Sequence, residues 1–236
     1  MFGSSRGKAA LNVGQLSPRY RYVPDFFLGY VNETEVTIGG TGEGNGPEIY
    51  GSVYGGGQDG HVRRDTKVTV NKCTIGHTDN SHTAAEIEKI GNVFGAGSGL
   101  GQYTKGSSLY YNNSSGSVTC TTTVEVNDNA TILGNVYGGG ALASVGPPNI
   151  GNGDEQKEVT SSSTHQSRSF TQVDIKGGNI GGNVYGASRG GLDLNYNGED
   201  PNTYATDLYS TVNVSGGQIT GDVFGGCEAG QTKCDV

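Results

Sequence analysis

Five times the chain writes a variant of Gly-x-Val-aromatic-Gly: Gly51-Ser52-Val53-Tyr54-Gly55, Gly91-Asn92-Val93-Phe94-Gly95, Gly134-Asn135-Val136-Tyr137-Gly138, Gly182-Asn183-Val184-Tyr185-Gly186 and Gly221-Asp222-Val223-Phe224-Gly225. Each copy follows a Thr/Ser-x-Val-x-Val/Ile run. A unit of two short strands cannot bury its own apolar face, so the copies must stack on one another. A solenoid grows by adding coils, and the 236-residue length therefore does not count domains. Apolar residues make up only 32% of the chain and glycines number 43, which without periodicity would read as disorder. Here the valines alternate and glycines bracket them, so the composition reads as a thin, ordered core.

The first strand of each unit falls at Thr34–Ile38, Thr66–Val70, Thr122–Val126, Thr171–Ile175 and Ser210–Val214. Side chains alternate faces along a strand. The Thr-Val-Val/Ile set therefore points inward, and Glu35/Thr37, Lys67/Thr69, Thr123/Glu125, Gln172/Asp174 and Thr211/Asn213 point outward. Turns follow, tightest in Lys176-Gly177-Gly178-Asn179 and Ser215-Gly216-Gly217-Gln218, where Gly or Asn supplies positive φ. A short apolar position comes next, at Ile49, Ile90, Ile132, Ile180 and Ile219, and then the strand that points Val in and the aromatic ring out.

The inner valines recur after 40, 43, 48 and 39 residues, so insertions interrupt a shorter coil. They are expected mostly after the Val-aromatic strand, at 57–65, 98–121, 139–170 and 187–209, with a smaller variable point after the first strand at 39–48 and 76–89. Insertions at equivalent corners emerge on one side, the default binding face. The expected fold is all-β: a right-handed parallel β-helix of about five full coils, with partial coils at both ends and long corner insertions.

Met1-Phe2-Gly3-Ser4-Ser5-Arg6-Gly7 overlays Val184-Tyr185-Gly186-Ala187-Ser188-Arg189-Gly190, and Thr232-Lys233-Cys234-Asp235-Val236 overlays Thr66-Lys67-Val68-Thr69-Val70. Residues 1–7 then read as the tail of a preceding coil, 8–33 as an insertion, and 34–236 as one continuous solenoid domain. The expectation is an internal stretch of a longer protein. A net charge of −8 and a pI near 4.9, with no Lys/Arg stripe, argue against nucleic acid. No apolar run approaches the ~18–20 residues of a membrane-spanning helix.

The string Gly-Gly-x-Ile-x-Gly-Asn/Asp-Val-Tyr/Phe-Gly-Gly resembles the repeat of large right-handed parallel β-helix surface proteins. Such pectin-lyase-like, autotransporter-like or adhesin-like chains are abundant in gut Bacteroidota and some Clostridia. The resemblance covers residues 30–236. It implies an extracellular or cell-surface setting and adhesion or carbohydrate association, and it transfers no catalytic residue. The expected role is a stalk, fibre or adhesin scaffold that contacts glycans, other surface proteins or sister subunits through its insertions. The alternative is a carbohydrate-active β-helix enzyme, a polysaccharide lyase or glycoside hydrolase.

Candidate sites follow from residue chemistry. Tyr54, Phe94, Tyr137, Tyr185 and Phe224 form an external aromatic ladder, preceded by Phe2. It either offers flat faces to sugar rings or stacks on itself beneath the insertions that follow. Ser52, Asn92, Asn135, Asn183 and Asp222 form a column able to hydrogen-bond from coil to coil. Asp193, Asn195 and Asn197, followed by Gly198, match the first half of an EF-hand-type Ca²⁺ loop, but Tyr204 stands where the bidentate Glu belongs and Asp200 is the available substitute.

Glu125 and Asp174 sit at equivalent outward places in adjacent coils, the nearest approach to the paired carboxylates of a glycosidase, but Thr69 and Asn213 continue their column without Arg or His. His61, His77, His82 and His165 fall in turns or insertions and read as solvated loop histidines. Cys73, Cys120, Cys227 and Cys234 permit disulfides or serve as small buried hydrophobes, with no zinc spacing. Arg19, Tyr20, Arg21 and Tyr22 open the densest aromatic and cationic patch, which either docks a partner or folds over the ladder.

Overall fold

The structure, a computed structural model, describes residues 1–7, 29–40, 42–77, 90–99, 102–105, 108–111, 115–146, 169–191, 206–207, 209–229 and 231–232. The β-branched residues at alternate places of Thr34–Ile38, Thr66–Val70, Thr122–Val126, Thr171–Ile175 and Ser210–Val214 suit a pleated ribbon with one buried face. These strands form one five-stranded sheet in chain order. Each neighbouring pair is parallel and in register: Thr34 opposite Thr66, then Thr122, Thr171 and Ser210.

A second five-stranded sheet joins Glu48–Ile49, Cys73–Ile75, Ala130–Ile132, Asn179–Ile180 and Gln218–Ile219. A third joins Val53–Tyr54, Val93–Phe94, Val136–Tyr137, Val184–Tyr185 and Val223–Phe224. Among the described residues there is no helix. The chain is a parallel β-solenoid of five coils, each giving one strand to each sheet.

The inward set makes one continuous core, running from Val36 and Ile38 through Val68, Val124 and Val173 to Val184. The Thr that opens each first strand also faces in, where an unpaired hydroxyl would be costly. Thr34, Thr66, Thr122 and Thr171 donate to the carbonyls of Gly55, Gly95, Gly138 and Gly186 at 2.5–2.6 Å, and Ser210 makes the same bond to Gly225. Each bond ties the start of a coil to the end of its third strand.

The acceptor glycine has its own constraint, and it is proximity, not φ. A Cβ on Gly55, Gly95, Gly138 or Gly186 would strike the backbone carbonyl oxygen of the matching glycine in the next coil. The turns behave as expected, with φ of 82° at Gly178 and 83° at Gly217.

Three expectations change. Ile90 does not join the second-strand column: Ile75 does, paired with Ile49 on one side and Ile132 on the other. Ile90 precedes Val93 by three residues, whereas Ile49, Ile132, Ile180 and Ile219 precede their valines by four. The extra segment of the second coil therefore follows its second strand, not its first.

The corners after the Val-aromatic strand are also more regular than insertions. Gln58, Ser98, Ala141, Arg189 and Glu228 bridge in parallel from coil to coil, and so do Val31, Val62, Val118 and Val145. Val62, Val118 and Val145 pack with Ala96 as a second small core. Residues 57–65 thus belong to the coil itself. The true insertion between the last two segments of the second coil carries an antiparallel hairpin, Gln102–Lys105 with Ser108–Tyr111. Finally, Thr232 pairs with Asp207, three residues before Ser210, and not at the place of Thr66.

At the other end residues 1–7 pair with the first coil. Phe2 bridges Tyr54, and the Tyr54 N–H donates to the Met1 carbonyl at 2.9 Å.

The glycine constraint makes a paired prediction. Gly138→Ala forces a Cβ into the Gly186 carbonyl and should cost about 3 kcal/mol or more, a fall in Tm of roughly 6–12 °C. Gly225→Ala occupies the same motif position in the last coil, where nothing lies within 4 Å of the added carbon. It should move Tm by less than about 2 °C. Thermal denaturation of the two variants checks both values.

Candidate functional site

The third sheet aligns its aromatic residues because its strands are in register: Tyr54 opposite Phe94, Phe94 opposite Tyr137, Tyr137 opposite Tyr185 and Tyr185 opposite Phe224. The resulting column of six rings, from Phe2 to Phe224, has centroids 4.6–5.0 Å apart and interplanar angles of 3–10°. Each interior ring has both faces against its neighbours, so no interior face is left for a sugar. Phe94 and Tyr137 are fully buried, while the end rings Phe2 and Phe224 are 39% and 43% exposed.

Among the described residues, the bridge column covers the ring edges. Ala141 packs among Phe94, Tyr137 and Tyr185. The Arg189 guanidinium lies 5.4 Å from the Phe94 ring centroid, a cation–π contact. Glu228 accepts hydrogen bonds from the hydroxyls of Tyr137 (2.5 Å) and Tyr185 (3.1 Å), reaching across two coils. Burial pushes the phenols of Tyr54, Tyr137 and Tyr185 up, and at Tyr137 the Glu228 carboxylate adds to the effect. These hydroxyls stay protonated donors, unsuited to general-base work.

The Asn column is built into the same strands. The side-chain oxygen of Asn92 accepts from the Asn135 N–H (2.7 Å), that of Asn135 from the Asn183 N–H (2.7 Å), and that of Asn183 from the Asp222 N–H (2.8 Å). The Ser52 hydroxyl begins the row by accepting from the Asn92 N–H at 3.1 Å. The other end of the amide is engaged as well: Asn135 donates to the Tyr137 hydroxyl (2.9 Å) and Asn183 to that of Tyr185 (3.1 Å). The first glycine of the motif leaves space for this bond, since a Cβ on Gly134, Gly182 or Gly221 would collide with the amide oxygen of the preceding coil.

On the outer face of the first sheet, Glu125 and Asp174 are direct neighbours in register. Neither stands as an acid–base pair. Glu125 receives Lys176 Nζ at 3.0 Å and Asn127 Nδ2 at 3.1 Å. Asp174 receives Gln172 Nε2 at 2.6 Å and Asn213 Nδ2 at 2.8 Å. The hydrogen bond from Lys176 holds the Glu125 carboxyl below its ordinary range, against a smaller opposing effect of burial. A general acid needs the opposite shift.

His61 is buried, 2% exposed, which corrects the expectation of a solvated loop residue: the corner that carries it is part of the coil. His77 sits edge-on to Tyr50 at 4.3 Å. Cys73, Cys120 and Cys227 are free thiols, and burial in the core pushes the Cys73 thiol up to about 11. His82, His165, Cys234, the loop bearing Asp193, Asn195, Asn197 and Asp200, and the patch at Arg19, Tyr20, Arg21 and Tyr22 lie outside the described residues. Among the described residues, no three His, Cys, Asp or Glu side chains gather as a metal site. No described helix is long and apolar enough to cross a membrane.

Sequence reasoning found the aromatic and Asn columns but not Arg189 and Glu228. The match of Arg189 with Arg6 and the constant five-residue step from each inner valine to its rung were the traces of that column in the repeat. Comparison of the chain with protein-family models, curated proteins and solved structures gave no match.

The Glu228 contacts can be apportioned by a double-mutant cycle. Glu228→Ala leaves two phenol hydroxyls without this acceptor and should cost about 2–3 kcal/mol, and Tyr137→Phe about 1–2 kcal/mol. The double variant should lose less than the sum by at least about 0.5 kcal/mol. Denaturant unfolding followed by tyrosine fluorescence reads this directly, since the chain has no Trp.

Protonating Glu125 should also remove the small contribution of its bond to Lys176. Its carboxyl is depressed in the folded state, so that contribution is present above the unfolded carboxylate range and is lost as pH falls through the lower, folded value. Lys176→Met should therefore flatten the acid limb of a Tm–pH curve slightly and leave Tm above pH ~6 within about 2 °C.

Proposed function

We propose that this chain is a stiff structural segment of an extracellular or surface-displayed protein: a stalk, fibre or adhesin scaffold whose corner segments make the contacts with glycans, other surface proteins or sister subunits. The observation that carries the reading is where the repeating polar groups are engaged. The Thr hydroxyls, the Asn side-chain oxygens, the Tyr137 and Tyr185 hydroxyls with Glu228, and the outer carboxylates of Glu125 and Asp174 all bond within the solenoid, to their own coil or to one no more than two coils away. A solenoid organised this way gains axial order and leaves its regular faces without convergent acid and base groups. Contacts with partners then fall to the corners, where coil stacking constrains the sequence least.

The net negative charge and the absence of a basic stripe support partners other than nucleic acid. The repeat's resemblance to β-helix surface proteins supports the extracellular setting.

Two measurements test the reading. Antibody against the purified chain should label intact cells of the source organism, and labelling only after lysis contradicts it. The purified chain, incubated with a panel of polysaccharides, should release no new reducing ends and no unsaturated products. Turnover of any of them would instead favour the lyase or hydrolase.

A further inference from the structure

The last coil carries the repeat to an open edge. Val214, Val223 and Phe224 are exposed, whereas their counterparts in the third coil, Val126, Val136 and Tyr137, are fully buried. Gly225 is a glycine that its own coil does not require. A Cβ on Gly55, Gly95, Gly138 or Gly186 would strike a carbonyl of the following coil, but one on Gly225 meets nothing within 4 Å. The last coil therefore keeps the surface on which another coil stacks.

The opposite end offers the matching surface. Met1-Phe2-Gly3 occupies the Val-aromatic-Gly places of the motif. The Gly3 N–H donates to the Tyr54 carbonyl and the Tyr54 N–H to the Met1 carbonyl, both at 2.9 Å. Backbone groups alternate sides along a parallel strand, so the N–H and carbonyl of Phe2 face the open side. On the last coil the phase is reversed. The Phe224 carbonyl accepts from the Gly186 N–H at 2.9 Å, so the groups of Val223 and Gly225 face outward. Internal junctions join the same kinds of partner, as when the Gly95 N–H donates to the Tyr137 carbonyl (3.0 Å) and the Gly138 N–H to the Tyr185 carbonyl (2.9 Å). Among the described residues, Phe2 and Phe224 end the ring column, each stacked on one neighbour.

Charge fits as well. The five-residue step from inner valine to bridge column, which reaches Arg189 and Glu228, takes Met1 to Arg6. The backbone agrees: the Gly7 N–H donates to the Gln58 carbonyl at 2.7 Å, as the Gly190 N–H does to that of Glu228. A second copy stacked on the last coil thus sets the exposed Arg6 beside Glu228, extending the alternation that Arg189 and Glu228 begin.

We propose that the third-sheet edge of the last coil receives residues 1–7 of a second copy of this chain, head to tail, with Val223, Phe224 and Gly225 opposite Met1, Phe2 and Gly3. Such a contact leaves a free surface at each outer end, so it propagates into a filament along the solenoid axis. The inference rests on the fibre form of the structural reading and names its partner.

Analytical ultracentrifugation of the full chain should show sedimentation rising with concentration into elongated oligomers. Amide exchange at Val223 and Gly225, fast in the dilute chain, should slow in step. Gly225→Ala adds a carbon that meets nothing in its own chain but faces the Gly3 carbonyl of the second copy. It should weaken association about a hundredfold. Arg6→Glu, set against Glu228, should weaken it at least about tenfold and keep Tm within about 2 °C of the parent. A chain that stays monomeric at every concentration overturns the inference, and leaves the stalk reading to be decided by cell labelling. Protection of Val223 and Gly225 that does not vary with concentration also overturns it, because the chain's own residues would then cover the edge. So does association lost in Gly225→Ala but kept in Arg6→Glu, because two last coils would then be pairing with each other.

Discussion

Adjacent coils meet where the closing glycine of one motif faces the carbonyl of the next, and that approach admits no side chain. Much of the structure follows from it. Parallel strands in a sheet lie about 4.7–4.9 Å apart, and only a glycine column lets the third sheet hold that spacing at its exit corner. The same carbonyl accepts the inward Thr hydroxyl of its own coil, closing the ring of three strands. Once the third strands are held at this pitch and in register, the aromatic rings have no choice but to stack, and their 4.6–5.0 Å separations repeat the strand spacing. Ring stacking is thus a consequence of backbone register. Each of the five ring pairs adds about 0.5–1.5 kcal/mol beyond area burial, so together they reinforce the register that produced them.

The polar residues of the repeat obey the same pitch. An Asn whose oxygen takes the next coil's N–H and whose nitrogen serves its own coil's Tyr can recur indefinitely, because both partners recur with it. Each such bond is worth about 1 kcal/mol, against a range of about 0–1 kcal/mol for the surface pair of exposed Lys176 and half-buried Glu125. Internal columns, not surface ion pairs, therefore determine how firmly the coils are joined. Glu228 extends this logic over three coils, since it sits in the last one and holds phenols of the two before it.

Much of this was legible in the sequence because a repeat repeats its reasons. Alternation placed the first strands, and the Val-aromatic pair placed the third. Other features were hidden for physical causes. The closing glycine reads as a turn residue, but it is required by close approach, which no local pattern encodes. Ile90 drew the eye as the apolar residue before Gly-Asn-Val, although its three-residue offset from Val93 already set it apart. One bridge column consists of residues as different as Gln58, Ser98, Ala141, Arg189 and Glu228, so its constant five-residue step from the inner valine carries no shared chemistry to mark it. The nine-residue step from Val53 to Val62 and from Val136 to Val145 was a usable signal for the second small core, broken in the second coil by the hairpin insertion.

The central claim is that stacking in register, coil on coil, makes the third sheet the most firmly held part of the molecule. Residue-resolved amide hydrogen exchange tests it most directly. The N–H groups of Val93, Gly95, Val136, Gly138, Val184 and Gly186 donate across to the next coil, and they should exchange only through global unfolding. Val223 and Gly225, at matching places in the terminal coil, should exchange at least about a hundredfold faster. Equal rates at Val136 and Val223, or at Gly138 and Gly225, would contradict the account.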